Sequence, residues 1–243
     1  MSSQGWRLRG DISWVLRDVS FSVAAGEMFG VVGTNGSGKT TLLQTIAGVL
    51  RPMRGSVAAA GRVTSLVDLS AGFHRELTGR ENLRLAGVLL GLPRSAVQAR
   101  YDDIVRFSGL DDETLAAPLR TYSSGMGLRL GFSLVAHSDP AVLVVDEVLA
   151  VGDEGFRARC VEKVEVLRRG GCAIVLVSHD LDLITAQCQR AALLHQGRLR
   201  QVGSPGEVAR SYTQVLATEQ GDGSPPRIPP ESAQRASRRR RFI

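Results

Sequence analysis

Apolar residues fall into distinct kinds of run along this chain, and each kind predicts a different element. Residues 28–32 (Met-Phe-Gly-Val-Val), 141–145 (Ala-Val-Leu-Val-Val) and 172–177 (Cys-Ala-Ile-Val-Leu-Val) carry no polar alternation. Such strands are buried on both sides, as in a parallel sheet covered by helices on each face. Other runs are short and bounded by turn residues. Residues 19–23 and 29–32 read as strands around Ala25-Gly26, and 56–60 and 62–69 as strands beyond the break at Pro52-Met53-Arg54-Gly55. Residues 191–195 and 199–202 read as a hairpin around Gln196-Gly197.

Helical spacing marks residues 39–48, 155–169, 181–188 and 207–217, together with one long block from Gly79 to about His137. Within that block, 80–90 carries apolar residues at 83, 85, 88, 89 and 90. Residues 97–107 place Tyr101, Ile104, Val105 and Phe107 on one broad face, and 123–136 form a third helix. Strand 141–145, helix 155–169 and strand 172–177 make a βαβ unit. The fold class is therefore α/β, with the helices of 79–137 inserted into the core and residues 1–218 forming one domain. Residues 219–243 are rich in Gly, Pro, Ser and Arg with few aliphatics, and read as a disordered basic tail.

The stretch Gly33-Thr34-Asn35-Gly36-Ser37-Gly38-Lys39-Thr40-Thr41 joins the first buried strand to the first helix. In that context G-x-x-x-x-G-K-[ST] is a phosphate-binding loop of the P-loop NTPase kind. Its glycines let the backbone fold tightly with N–H groups pointing inward, and the helix N-terminus adds partial positive charge. Lys39 would reach the β- and γ-phosphates of ATP, and the Thr40 hydroxyl would ligate Mg²⁺.

Charge changes the picture less than its total suggests. The net +6 includes an excess of +4 from six arginines against Asp222 and Glu231 after residue 220, leaving +2 for the body. Nucleic acid is accordingly an unfavoured partner. No apolar run approaches the roughly 20 residues that cross a bilayer, and no signal peptide opens the sequence. Cys160, Cys172 and Cys188 are odd in number and far apart, which points to reduced thiols rather than disulfides.

Two more strand ends carry chemistry. The run 142–145 ends in Asp146-Glu147, two carboxylates at the C-terminal end of a buried strand, where they can reach a ligand on the neighbouring loop. Asp146 suits orientation of Mg²⁺, and Glu147 suits polarising a water aimed at the γ-phosphate. The strand 173–177 ends in Ser178-His179-Asp180, which puts an imidazole on the same sheet edge, within reach of the γ-phosphate or the attacking water. The segment Thr121-Tyr122-Ser123-Ser124-Gly125-Met126 opens a second helix, with Ser123 as N-cap and Ser124 and Gly125 leaving amides open to an anion. One nucleotide does not need both helix starts, so each suits a different ATP.

These parts, in this order, resemble the ATP-binding subunits of ABC transporters over about residues 15–215. The resemblance makes residues 33–40 the Walker A motif and 122–126 the signature. Asp146 and Glu147 close Walker B, Asp153 lies in the D-loop and His179 is the switch histidine. It implies an ABC ATPase fold with a mixed core sheet, an antiparallel β subdomain and an inserted helical subdomain. It also implies a homodimer that sandwiches ATP head to tail. The stretches 72–82, 122–126 and 146–153 look like those of exporters of O-antigen, teichoic acid and capsule-type polysaccharides. The implied partner is an integral membrane permease, with the ATPase peripheral on the cytoplasmic face of the cell membrane. Trp14, in a segment similar to the family's opening, could stack on adenine or simply pack.

Two departures stand out. Met126 occupies the signature's glutamine position, and no glutamine lies between Val63 and Glu81 where a Q-loop would be; Asp68 or Ser70 could supply a polar contact there. A soluble ABC ATPase acting on nucleic acid or the ribosome is the alternative function, and a non-catalytic regulatory subunit a third.

Overall fold

The computed structural model describes residues 14–66, 72–146 and 153–221. A six-stranded sheet has the order β2-β3-β4-β1-β5-β6, formed by β1 (Met28–Val32), β2 (Val63–Ser65), β3 (Val142–Val145), β4 (Ala173–Val177), β5 (Arg190–His195) and β6 (Arg198–Gly203). Every neighbouring pair is parallel except β5 and β6. Helices α1 (Lys39–Ile46), α7 (Glu154–Arg169), α8 (Leu181–Gln187) and α9 (Pro205–Gly221) belong to this α/β core. Helices α2 (Gly79–Leu89), α3 (Arg94–Ala99), α4 (Tyr101–Ser108), α5 (Asp112–Ala116) and α6 (Ser124–Ala136) form the insertion.

The unalternating strands are apolar because both faces are covered. Met28 and Val32 of β1, Leu143 and Val145 of β3 and Ile174 and Leu176 of β4 face one core with Phe132, Phe156, Ile184 and Val208 from α6–α9. Their neighbours Phe29, Val31, Val144, Val175 and Val177 face the other core with Leu42 and Leu43 of α1. Successive side chains of a strand point to opposite faces, so two helical layers require an apolar residue at every position. Each buried Val, Leu or Ile contributes about 1.5–3 kcal/mol relative to exposure.

A third core fills the insertion: Leu83, Ala86, Val97, Ile104, Leu115, Leu130 and Leu134. Helix α6 belongs to two cores, giving Leu130 and Leu134 to the insertion and Phe132 and Val135 to the sheet. The seam between them is aromatic. Phe107, Phe132 and Phe156 meet with ring centroids 5.8–6.0 Å apart, geometry suited to offset and edge-to-face contact.

Several sequence expectations change. Residues 19–23 form no ladder among the described residues, although Val19, Phe21 and Val23 turn inward against the α1 side of the sheet and Phe21 stacks on Phe29 at 4.9 Å. Their alternation reflects packing on that core. Residues 56–60 are exposed throughout and form no ladder among the described residues. Among the described residues, then, the antiparallel ladder is the β5–β6 hairpin. The strand expected at 62–69 is the three-residue β2; residues 67–71 lie outside the described residues. The first helix stops at Ile46, short of Gly48. The helix expected at 97–107 breaks at Arg100 (φ −105°, ψ 4°) into α3 and α4, and α5 appears where no helix was expected. Its N-cap Asp111 accepts from Thr114 N at 2.8 Å. Helix α9 continues to Gly221, into the segment read as tail, while residues 222–243 lie outside the described part.

Phe156 is fully buried in the aromatic seam. Phe156→Ala should lower the unfolding free energy by about 3–5 kcal/mol, measured by urea titration; a loss within experimental error would show that the seam is not a stabilising joint.

Candidate functional site

The candidate residues of the sheet gather at one edge because parallel strands end together. Val31 of β1 pairs with Val177 of β4, and Val145 of β3 pairs with Leu176. Continuing that register sets Asp146 level with Val177 and Val31, and His179 level with Gly33. The phosphate loop, Asp146 and His179 thus leave adjacent strands at the C-terminal edge, where open α/β sheets bind ligands. Asp146 is half-buried and His179 exposed. Asp180, next in the chain, caps α8 by accepting from Asp182 N and Leu183 N at 3.0 Å each. Glu147 lies outside the described residues.

Between β1 and α1 the loop is shaped by its glycines. Gly36 (φ 77°) and Gly38 (φ 104°) are left-handed, a conformation that a Cβ disfavours. Gly33 does not have a positive φ but is enclosed: a Cβ there would stand 2.6 Å from Ser37 Oγ and collide with the Leu194 carbonyl oxygen. Lys39 Nζ folds back over the loop and donates to the Gly33 and Thr34 carbonyls at 2.6 and 3.0 Å. The loop closes on itself through Ser37 N, which donates to Thr34 O at 3.2 Å. Ser37 is buried, and its Oγ has no hydrogen-bond partner among the described residues. A buried hydroxyl without a partner and a lysine cation on one glycine-shaped loop suit a multiply charged oxyanion. Asn35, Gly36 and Thr40 are exposed and Thr34 and Thr41 half-buried. Among the described residues no three His, Cys, Asp or Glu side chains cluster as a metal site. Mg²⁺ can still be held here, since it usually takes one or two protein oxygens and completes its shell with phosphates and water.

Trp14 sits half-buried with the Arg54 guanidinium 5.5 Å from its ring centroid. One face of the indole is therefore engaged by a cation. The same segment reaches the phosphate loop, for a Cβ on Gly38 would come within 2.8 Å of Leu16 Cδ2.

The second helix start is built as read from sequence. Ser123 caps α6, its Oγ accepting from Met126 N at 3.2 Å. Position 126 thus contributes its backbone amide to the cap whatever its side chain. Tyr122 is a packing residue whose hydroxyl donates to Thr114 O at 2.7 Å, and burial pushes it up to about 12, so it stays neutral. Ser124 is exposed and Gly125 half-buried.

Asp153 has a structural duty. It N-caps α7, accepting from Phe156 N at 2.8 Å, and it pairs with Arg129 of α6. The Phe156 amide is the main reason its carboxyl lies below the ordinary value, with Arg129 and Arg159 adding to the effect. Arg129 also lies over the Phe156 ring, 5.4 Å from its centroid. The start of α7 is thereby tied to the helix that begins at Ser124.

Sequence reasoning missed Asn82, which is completely buried. Its Nδ2 donates to the carbonyls of His74, Leu77 and Thr78 at 3.0 Å each, and its Oδ1 accepts from His74 N at 2.7 Å. One side chain therefore holds the turn before α2, beside a capping box in which Thr78 and Glu81 bond reciprocally. Two signals were present: the Thr78-x-x-Glu81 pattern, and a polar residue on the same helix face as Gly79, Leu83 and Ala86.

Comparison with known proteins agrees with this geometry. Residues 16–150 match the family described as ABC transporter. The chain is 40% identical to the O-antigen export system ATP-binding protein RfbB of Myxococcus xanthus, covering 94% of this chain and 56% of that one. It is 43% identical to the protein of the same name from Klebsiella pneumoniae, covering 86% and 85%. It is 42% identical to the teichoic acids export ATP-binding protein TagH of Levilactobacillus brevis, covering 82% and 55%. The chain therefore spans only about half the length of two of these relatives. A solved ATP-binding subunit of an ABC transporter superposes with a TM-score of 0.74 at 25% identity, over 86% of this chain and 93% of that one. A dimeric ATP-binding cassette bound to ADP and Pi shares the fold at TM-score 0.69 and 17% identity, covering 82% and 94%.

Removing the Asp153 carboxylate should destabilise the protein in a pH-dependent way. A carboxyl held below its ordinary 3.8 contributes stability above that value and loses it as pH falls through the folded value. Asp153→Ala should lower the urea midpoint at pH 7, with the gap to the parent protein narrowing below about pH 4; a gap that widens in acid would contradict the assignment.

Proposed function

From the fact that this chain belongs to the ABC transporter family, we propose that its ATPase domain powers a separate membrane permease exporting a lipid-linked polysaccharide, such as an O-antigen, teichoic acid or galactan-like glycan. The observation that carries the reading is the meeting of the phosphate loop, Asp146 and His179 at one sheet edge. The glycan class rests on relatives named for O-antigen and teichoic acid export.

Residues 33–41 cradle the α-, β- and γ-phosphates of ATP, with Lys39 turning from the Gly33 and Thr34 carbonyls to the β- and γ-phosphates. Trp14 stacks on adenine by its ring face away from Arg54. Mg²⁺, when bound, neutralises phosphate charge, and Thr40 and Asp146 are the residues that would hold it. A second copy of the chain, facing head to tail, presents Ser123, Ser124 and Gly125 to the γ-phosphate. Glu147 polarises a water, whose oxygen attacks the γ-phosphorus as the bond to ADP breaks. Glu147 takes the proton, and His179 hydrogen-bonds the γ-phosphate. ADP and phosphate then repel, and the dimer opens.

The insertion passes that motion on. Leu85, Val88 and Leu89 of α2 are 37%, 46% and 64% exposed, an apolar strip on the outer side of the insertion. It borders a cleft of about 620 Å³ between α2 and α3, lined also by Arg84, Arg94 and Tyr101. An amphipathic segment of the permease suits this surface. Among the described residues no helix is long and apolar enough to cross a membrane. As the partner of such a permease, the chain works as a peripheral subunit on the cytoplasmic face, a reading supported by the relatives named for export.

Lys39→Ala should abolish ATP binding by calorimetry, and native affinity in that variant would discard the phosphate-loop assignment. Glu147→Gln should keep ATP binding while phosphate release falls by roughly 10²–10⁴; unchanged turnover would reject Glu147 as the base. In vesicles with the permease, hydrolysis should rise on adding lipid-linked glycan, whereas a rate indifferent to glycan and permease would defeat the export reading.

A further inference from the structure

We infer that the turn between β5 and β6 is a positioning element for the phosphate loop, acting through the backbone of Gly197. The inference rests on reading residues 33–41 as the nucleotide site and adds to it a residue outside every motif. Gly197 N–H donates to the Ser37 carbonyl at 3.0 Å, and Gly197 O accepts from Arg17 N at 2.7 Å. The turn therefore bridges the loop and the segment 14–18, which itself presses Leu16 on Gly38. On the same side Leu194, near the end of β5, sets its carbonyl against Gly33. An ion pair between Asp18 and Arg198 at 2.7 Å fastens the segment to β6.

The consequence follows from peptide geometry. In a trans peptide the C=O of one residue and the N–H of the next point in opposite directions. Holding the Ser37 carbonyl toward the turn aims the Gly38 N–H the other way, into the concave side where an anion would sit. The turn thus orients an amide of the phosphate cradle from behind, without touching the ligand.

Only glycine serves at position 197. Its φ is 72°, following Gln196 at 49°, and a Cβ would collide with the Val15 carbonyl and come within 3.0 Å of that carbonyl's carbon. Any side chain must move the turn off Ser37, the segment off the turn, or both.

Gly197→Ala should weaken ATP binding about tenfold, the size of one lost backbone hydrogen bond. The loss should appear in KM, with kcat at saturating ATP nearly retained, because no group that touches the reacting atoms changes. Gln196→Asn keeps a residue suited to left-handed backbone and should bind ATP as the parent does. An alanine variant with ATP affinity within about twofold of the parent overturns the inference, as does an unchanged KM with a fallen kcat, or an asparagine variant impaired as much as the alanine one. Should Gly197→Ala not fold, hydrogen exchange on the parent chain decides. Binding at one site and order at the other are reciprocal, so ADP with Mg²⁺ should increase protection of residues 195–198, and unchanged protection overturns the inference. A parent chain that binds no ATP defeats the phosphate-loop reading instead.

Discussion

Burial of β1 on both faces is the constraint on which the rest of this structure depends. All five of its residues are buried, with β4 on one side and β5 on the other. A strand so enclosed cannot shift register without exposing apolar surface and breaking two ladders. Its C-terminal end is therefore a fixed point, and the loop that follows inherits that rigidity. A phosphate cradle needs amides aimed within a narrow range, and an amide can be aimed only from a support that does not move. The other strands serve the same end: β4 brings His179 level with the loop, β3, one strand farther out, ends in Asp146 at the same edge, and β5 closes the loop from behind.

Helix α6 is the second structural decision. Its residues alternate between the core under the sheet and the core of the insertion, so neither can shift without disturbing the other. Ser123 stands at its N-terminus, and Arg129, about a turn and a half farther along, pairs with Asp153 at the start of α7. The helix start read as a contact for a second nucleotide is thus joined mechanically to the start of α7. Interiors packed at crystal-like density transmit displacement rather than absorb it. That property is what an ATPase needs if it is to move a neighbour.

The departure at Met126 looks less costly in this light. The cap at the start of α6 uses the Ser123 hydroxyl and the backbone amide of residue 126, and neither depends on a glutamine. Asp153 shows the converse, since a residue that the resemblance sets in the D-loop uses its carboxylate for an N-cap and an arginine. Motif membership names a position in the chain. It does not by itself say what the side chain does there.

Much of the fold and the candidate site was legible in the sequence because local chemistry determines it. The unalternating runs at 28–32, 142–145 and 173–177 specify doubly covered parallel strands, and Gly36 and Gly38 specify a loop that only glycine can form. Gln196-Gly197 specifies the hairpin turn, and Ser123 specifies a helix start, each through preferences confined to a few consecutive residues. Tertiary structure decided what depends on contacts distant in sequence. Whether the alternating 19–23 became a strand depended on a partner edge, and none is there among the described residues. The four hydrogen bonds of Asn82 depended on where a preceding turn folded, and the break at Arg100 on how α3 and α4 each reach the core of the insertion. The grip of Gly197 on Ser37 joins residues 160 positions apart, and only the parallel pairing of β5 with β1 sets them face to face.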